Sequence, residues 1–183
     1  MNNIETLTQC PWCKSSESRR WGQEVRGFRT VVCDDCGLIY VQNRLNDLGL
    51  KKYYEHYLNS VHLENTEDVK NRTLMYDVEY KHITQYVKGG KVLDVGCSGG
   101  YFLDVFKENN FDCHGVEFGG DAYKEASLKH EIMLGELDKL EITNKYDLVI
   151  FRGVIEHVPD PKSYLDKAVE LLDENGFIYI TST

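Results

Sequence analysis

Four of the six cysteines form two Cys-x-x-Cys pairs, Cys10-Pro-Trp-Cys13 and Cys33-Asp-Asp-Cys36, with 19 residues between them. This spacing suits a tetrahedral structural Zn2+ site: each tight turn offers two thiolates, and a hairpin brings the turns together. Gly37 supplies the pliant residue that such a turn wants after its second cysteine. A redox dithiol is the rival reading. It calls for one pair, and Asp34 and Asp35 would raise a thiol pKa that such chemistry needs lowered. Disulfides belong to oxidising compartments, and "MNNIETLTQC" lacks the basic and apolar regions of a secretory signal. A cytoplasmic, reducing setting is therefore expected. Four thiolates close the coordination sphere, so the metal is expected to be structural.

A second group of residues suits a ligand of another kind. "KVLDVGCSGG" (91–100) is an apolar run ending in an acid, Asp94, and passing at once into a glycine-rich loop. A dinucleotide fingerprint starting at Gly96 needs glycine at 98 and 101, where Ser98 and Tyr101 stand. A phosphate-binding loop needs Gly-Lys at 101–102, and Tyr101-Phe102 stand there. What remains is acid, Gly-x-x-Gly-Gly, then helix, with a second acid, Glu117, closing the next apolar run. Further on, "EHVPDP" (156–161) contains His157, a residue type able to act as a base near neutral pH.

These groups need elements to hold them. Residues 1–42 lack helical periodicity and read as a small metal-dependent module, followed by a connector (43–64) carrying Tyr53, Tyr54 and Tyr57. From Asn65 to Val87, apolar residues at Val69, Tyr76, Tyr80, Ile83 and Val87 keep one face of a helix apolar, and Gly89-Gly90 ends it. Strands are predicted at 91–96, 112–117, 131–134, 146–151 and 176–182, with helices at 100–109, 121–129 and 161–173. Short, nearly continuous apolar strands alternating with helices predict an α/β fold with a parallel sheet covered on both faces.

In this setting the glycine loop resembles motif I of the class I S-adenosylmethionine-dependent methyltransferases. Asp94, Gly96 and Gly100 match its pattern, and Ser98 takes the place of its middle glycine, a mild departure provided that position does not demand a positive φ. The resemblance covers about residues 65–183 and implies a Rossmann-like methyltransferase domain binding S-adenosylmethionine. Its expected cofactor contacts are Asp94, Gly96, Cys97, Ser98, Gly100, Glu117, Phe118, Leu137 and Phe151. Glu117 would take the ribose hydroxyls in a bidentate contact, and Phe118 would lie beside the adenine. Phe118 and Leu137 read equally as core side chains, while Cys97 and Phe151 read as buried side chains ahead of contacts. His157 is either the catalytic base or a structural residue of its loop, and Arg152 meets either an anionic substrate or solvent.

"CPWC…CDDCGLIYV" followed by tyrosines and motif I also resembles bacterial methyltransferases with an N-terminal zinc-binding module. Some of these modify sugar nucleotides or other biosynthetic metabolites, which implies a small-molecule acceptor here. The tyrosines of the connector would line the pocket or join the two domains. An RNA methyltransferase and a non-catalytic S-adenosylmethionine-binding scaffold are the alternatives. The net charge of −9 speaks against nucleic acid: residues 1–50 balance six basic against six acidic groups, leaving fifteen against twenty-four in the remainder. Phosphate binding favours the opposite sign. No stretch is long and apolar enough to span a membrane. The family sheet has seven strands, and this sequence reaches Thr183 at the end of the fifth. The expectation is a sheet with strands one to five present and six and seven absent, in a fragment or in a chain that dimerises or recruits a partner at the exposed strand-five edge.

Overall fold

The structure, a computed structural model, describes residues 3–55 and 66–182, with the side chains of 66–69 outside that description. The chain forms two compact units, Met1–Tyr53 with Pro159–Lys162, and Tyr54–Val158 with Ser163–Thr183.

The first unit is built from short strands. β1 (Ile4–Thr6) pairs antiparallel with β5 (Asn43–Leu45), and β2 (Ser18–Arg20), β3 (Thr30–Cys33) and β4 (Ile39–Val41) form a three-stranded antiparallel sheet. Val31, Val32 and Cys33 are buried along β3. Helix α1 (Asp47–Tyr54) follows, with the Asn46 side chain accepting the Gly49 N–H at 3.0 Å in its first turn.

In the second unit, helix α2 (Thr66–Ile83) precedes β6 (Lys91–Val95), α3 (Tyr101–Glu108), β7 (Asp112–Glu117), α4 (Gly120–Ala126) and β8 (Glu131–Leu134). A 3-10 turn (Leu137–Lys139), β9 (Tyr146–Arg152), α5 (Pro161–Leu171) and β10 (Leu172–Thr181) complete it. The sheet order is β10-β9-β6-β7-β8, and every neighbouring pair is parallel. Period-two alternation sends the strands' side chains to two cores. Val92, Leu148 and Ile150 meet Ile83, Phe102, Leu103 and Phe106 on the face covered by α2 and α3. Leu93, Val95, Val149 and Phe151 meet Tyr164, Ala168 and Leu171 of α5 on the other. The helical spacing read from the sequence is filled by rings: Tyr76 packs on Phe102 and Tyr80 on Phe106, both at 5.2 Å between centroids. Val87 is buried beyond the end of α2, and the side chain of Val69 lies outside the described residues.

The expectation of a sheet with strands six and seven absent is corrected by this topology. Counted along the chain, the sixth and seventh strands are β6 and β7, and they are present as the central strand and its neighbour in a fully formed five-stranded sheet. The first five strands of the chain lie in the first unit, so a strand count carried over from a family does not index this sequence. β10 also starts earlier than expected: Leu172 already pairs with Tyr146, and the register shifts before Phe177. Asp173-Glu174-Asn175-Gly176, which reads as a turn, is absorbed as that irregularity.

Candidate functional site

The chain runs outward from β6 to β7 and β8, then returns to place β9 on the other side of β6. Such a switch point opens a crevice at the carboxyl ends of the strands, where ligands of α/β sheets bind. The loop after β6 lies there. Gly96 has φ 71, and a Cβ at that position would come within 2.6 Å of Val154 Cγ2, so only glycine lets the two segments approach. Its N–H donates to Val116 O at 2.7 Å, and Gly100 N–H donates to Cys97 O at 2.9 Å as the chain enters α3.

Glu117, at the end of β7, is buried and joins two loops. Its Oε2 accepts the Ser98 N–H at 2.8 Å, and its Oε1 accepts the Gly119 N–H at 2.6 Å. Burial pushes the carboxyl pKa up, while the N–H groups of Gly119 and Ser98 hold it back. Each carboxylate oxygen has a second lone pair, so the group can take two further donors. Ser98 itself has φ 52, contrary to the negative value that would make its substitution for glycine mild, and its enclosed Oγ has no hydrogen-bond partner among the described residues.

Asp94 is buried at the end of β6, and burial pushes its carboxyl pKa up to about 8 against the opposing pull of Arg152. Arg152 is half-buried and engaged within the fold. Its Nε and Nη2 donate to Glu79 Oε2 and Oε1 at 2.8 and 3.1 Å, and its guanidinium carbon lies 4.7 Å from the Tyr76 ring centroid. Burial alone would lower the Arg152 pKa; the bonds and charge of Glu79 outweigh it and keep the cation protonated. Glu79 carries no signal in the sequence, because only α2 folding over the sheet brings it to a strand end 73 residues away.

The remaining expected residues are placed as follows. Cys97 is buried under the loop, with its sulfur directed towards Gly115, where any Cβ would meet it at 2.7 Å. Phe118 is half-buried and edge-on to Tyr54 at 6.4 Å. Leu137 and Phe151 are wholly buried in the α5-side core. His157 is exposed, its N–H donating to Val154 O at 2.9 Å. Tyr53 is exposed, and Tyr57 lies outside the described residues.

In the first unit the four sulfurs of Cys10, Cys13, Cys33 and Cys36 lie within 4.8 Å of one another, while Cys97 and Cys113 stand apart from them. Cys10–Cys36 and Cys13–Cys33 are separated by 3.6 and 3.5 Å, much longer than a disulfide bond and close to the edge of about 3.8 Å in a tetrahedral zinc–thiolate site. Two matching turns create this. Cys10 N–H donates to Ser15 O and Lys14 N–H to Cys10 O; Cys33 N–H donates to Leu38 O and Gly37 N–H to Cys33 O. Lys14 and Gly37 hold equivalent positions, both with positive φ, at 63 and 76. The role of Gly37 is readable from its residue type, whereas that of Lys14 is not.

A parallel sheet with a glycine loop at its switch point and an acid closing the neighbouring strand defines the class I methyltransferase fold. Residues 70–183 match the family model of a methyltransferase domain, and the chain belongs to that family. It is similar to the ubiquinone biosynthesis O-methyltransferase of Shewanella sp. (strain ANA-3), at 30% identity over 104 residues covering 51% of this chain and 44% of the relative. The chain spans about half the length of the curated relatives it matches. Among solved structures it is similar to the PH0226 protein of Pyrococcus horikoshii OT3, with 26% identity and a TM-score of 0.54, covering 70% of this chain and 64% of that one. CalS10, an amino pentose methyltransferase from Micromonospora echinaspora, shares the fold at 16% identity and a TM-score of 0.53, covering 64% and 57%. No helix among the described residues is long and apolar enough to cross a membrane.

Proposed function

We propose that this chain binds S-adenosylmethionine and transfers its methyl group to a small molecule, of the class of sugar nucleotides or related biosynthetic metabolites. The observation that carries this reading is Glu117, a buried carboxylate at the switch point with lone pairs left for two hydroxyls. In the loop beside it Gly96 lets the segment bearing Val154 approach closely, and the enclosed Ser98 hydroxyl has no hydrogen-bond partner among the described residues. Glu117 holds the ribose, Asp94 the charged amino-acid end, and Phe118 one face of the adenine. Cys97, Leu137 and Phe151 form the wall behind them.

When bound, S-adenosylmethionine supplies an electrophilic methyl carbon on its sulfonium. The chain's part is alignment, since a pre-positioned nucleophile removes much of the entropic barrier to displacement. His157 takes the acceptor's proton from the loop after β9. The locked Glu79–Arg152 pair leaves that arginine to structure, so the acceptor is held by other groups.

In the same reading Cys10, Cys13, Cys33 and Cys36 hold one Zn2+ as a closed structural site. Calorimetry with S-adenosylhomocysteine tests the central claim. Wild type binds, and Glu117→Gln binds at least tenfold more weakly, because an amide accepts one fewer hydroxyl. No binding by wild type defeats the reading.

A further inference from the structure

Residues Pro159–Lys162 belong to the first unit, although the chain on both sides of them belongs to the second. Within that unit two cations hold them. Arg44 on β5 faces Glu5 on β1 across the antiparallel pair. Its Nε donates to Glu5 Oε1 at 2.7 Å, and its Nη1 donates to the Pro159 carbonyl. One bond aims the guanidinium and the other holds the chain, with the side chain only 25% exposed. Lys14 closes the Cys10–Cys13 turn through its backbone N–H, which donates to Cys10 O. Its ammonium donates to Pro11 O at 2.9 Å and to Asp160 Oδ2 at 3.1 Å.

Asp160 joins this hold to a helix start. Its Oδ1 accepts the Lys162 N–H at 3.1 Å, so it caps α5, with Pro161 in the first helical position. On its other side the chain runs back through Pro159 and Val158 to His157. The far end of that loop is fixed differently: the Gly153 N–H donates to Thr181 O of β10 at 2.9 Å. The sheet thus anchors one end of the loop after β9, and the first unit anchors the other.

We propose that Arg44 and Lys14 are positioning residues for the loop after β9, fixing its downstream end and the cap of α5 and so holding the segment that carries His157. The clamp itself needs no cofactor. Its bearing on proton removal by His157 rests on the reading above.

The test is hydrogen exchange at single amides of the unloaded protein, with the melting temperature of each variant. In Arg44→Met the amides of His157 and Lys162 should exchange about tenfold faster or more, the effect of one hydrogen bond from a charged group. Lys14→Met should speed Lys162 up to about fivefold, because that pair is exposed. Lys14→Arg keeps a cation on the same backbone and should restore the wild-type rate. The Gly153 amide, held by the sheet, should keep its rate in all of them. Lys14→Met is an exposed change and decides the matter alone should Arg44→Met fail to fold. Wild-type rates for His157 and Lys162 in the methionine variants overturn the proposal. So does equal acceleration of Gly153, which marks a general loosening and no clamp. Calorimetry with S-adenosylhomocysteine judges the cofactor reading separately, since exchange in the unloaded protein does not depend on it.

Discussion

Asp94 ties the stability of the methyltransferase unit to pH. Its carboxyl moves from an ordinary value of 3.8 up to about 8, chiefly because burial penalises the charge. Between those values the folded chain holds a proton that the unfolded chain has released. Stability from this group is therefore fully present below about pH 4 and is lost as pH rises through about 8. Urea unfolding across that window should show a decline that Asp94→Asn flattens; an unchanged slope in the variant would assign the decline elsewhere. Asp94 and Glu117 were legible as paired acids at strand ends, because each closes an apolar run beside the glycine loop, and both are buried there. The conformation of Ser98 was not. Serine favours negative φ by itself, and the left-handed turn is imposed by Glu117 and the neighbouring loop.

At the scale of elements, α2 is held to the sheet by one half-buried pair and a row of rings. Glu79 and Arg152 are bidentate, with side-chain exposures of 15% and 25%, so each loses most of its hydration. Removing one partner strands the other: Glu79→Gln should cost about 1–3 kcal/mol in chemical denaturation. Replacing both, as Glu79→Gln with Arg152→Met, should cost less than the sum of the single changes. Additive costs would mean that the two side chains do not depend on each other. The rings were readable from spacing, since Tyr76 and Tyr80 fall one helical turn apart. The ion pair was not, because charge on a helix reads as solvated until its partner strand is in place.

For the whole molecule, the first unit has few buried apolar side chains among the described residues, Val31 and Val32 beside the cysteines, and under the proposed zinc site the metal would supply the remainder of its stability. Metal analysis of protein purified without chelator should find one zinc per chain. Cys33→Ser should abolish stoichiometric zinc, and chelation should expose residues 1–53 to proteolysis. Protein without zinc and equally resistant to protease would defeat the structural-metal reading. The strand count needed correction at this scale too. Short strands in the first unit shift the numbering, and periodicity does not show which sheet a strand joins.

The sequence by itself determined the local chemistry: two cysteine turns of fixed spacing, a strand-acid-glycine loop, and alternating strands and helices of a parallel sheet. Each depends on neighbours within a few residues, where steric rules and periodicity act directly. Only the tertiary structure decided the left-handed Ser98 with its enclosed hydroxyl, the Glu117 carboxylate clasping two loops, and the Glu79–Arg152 lock. The Ser98–Glu117 and Glu79–Arg152 contacts join groups 19 and 73 residues apart, and burial at the sheet's switch point, which no local pattern encodes, fixes what each of them can do.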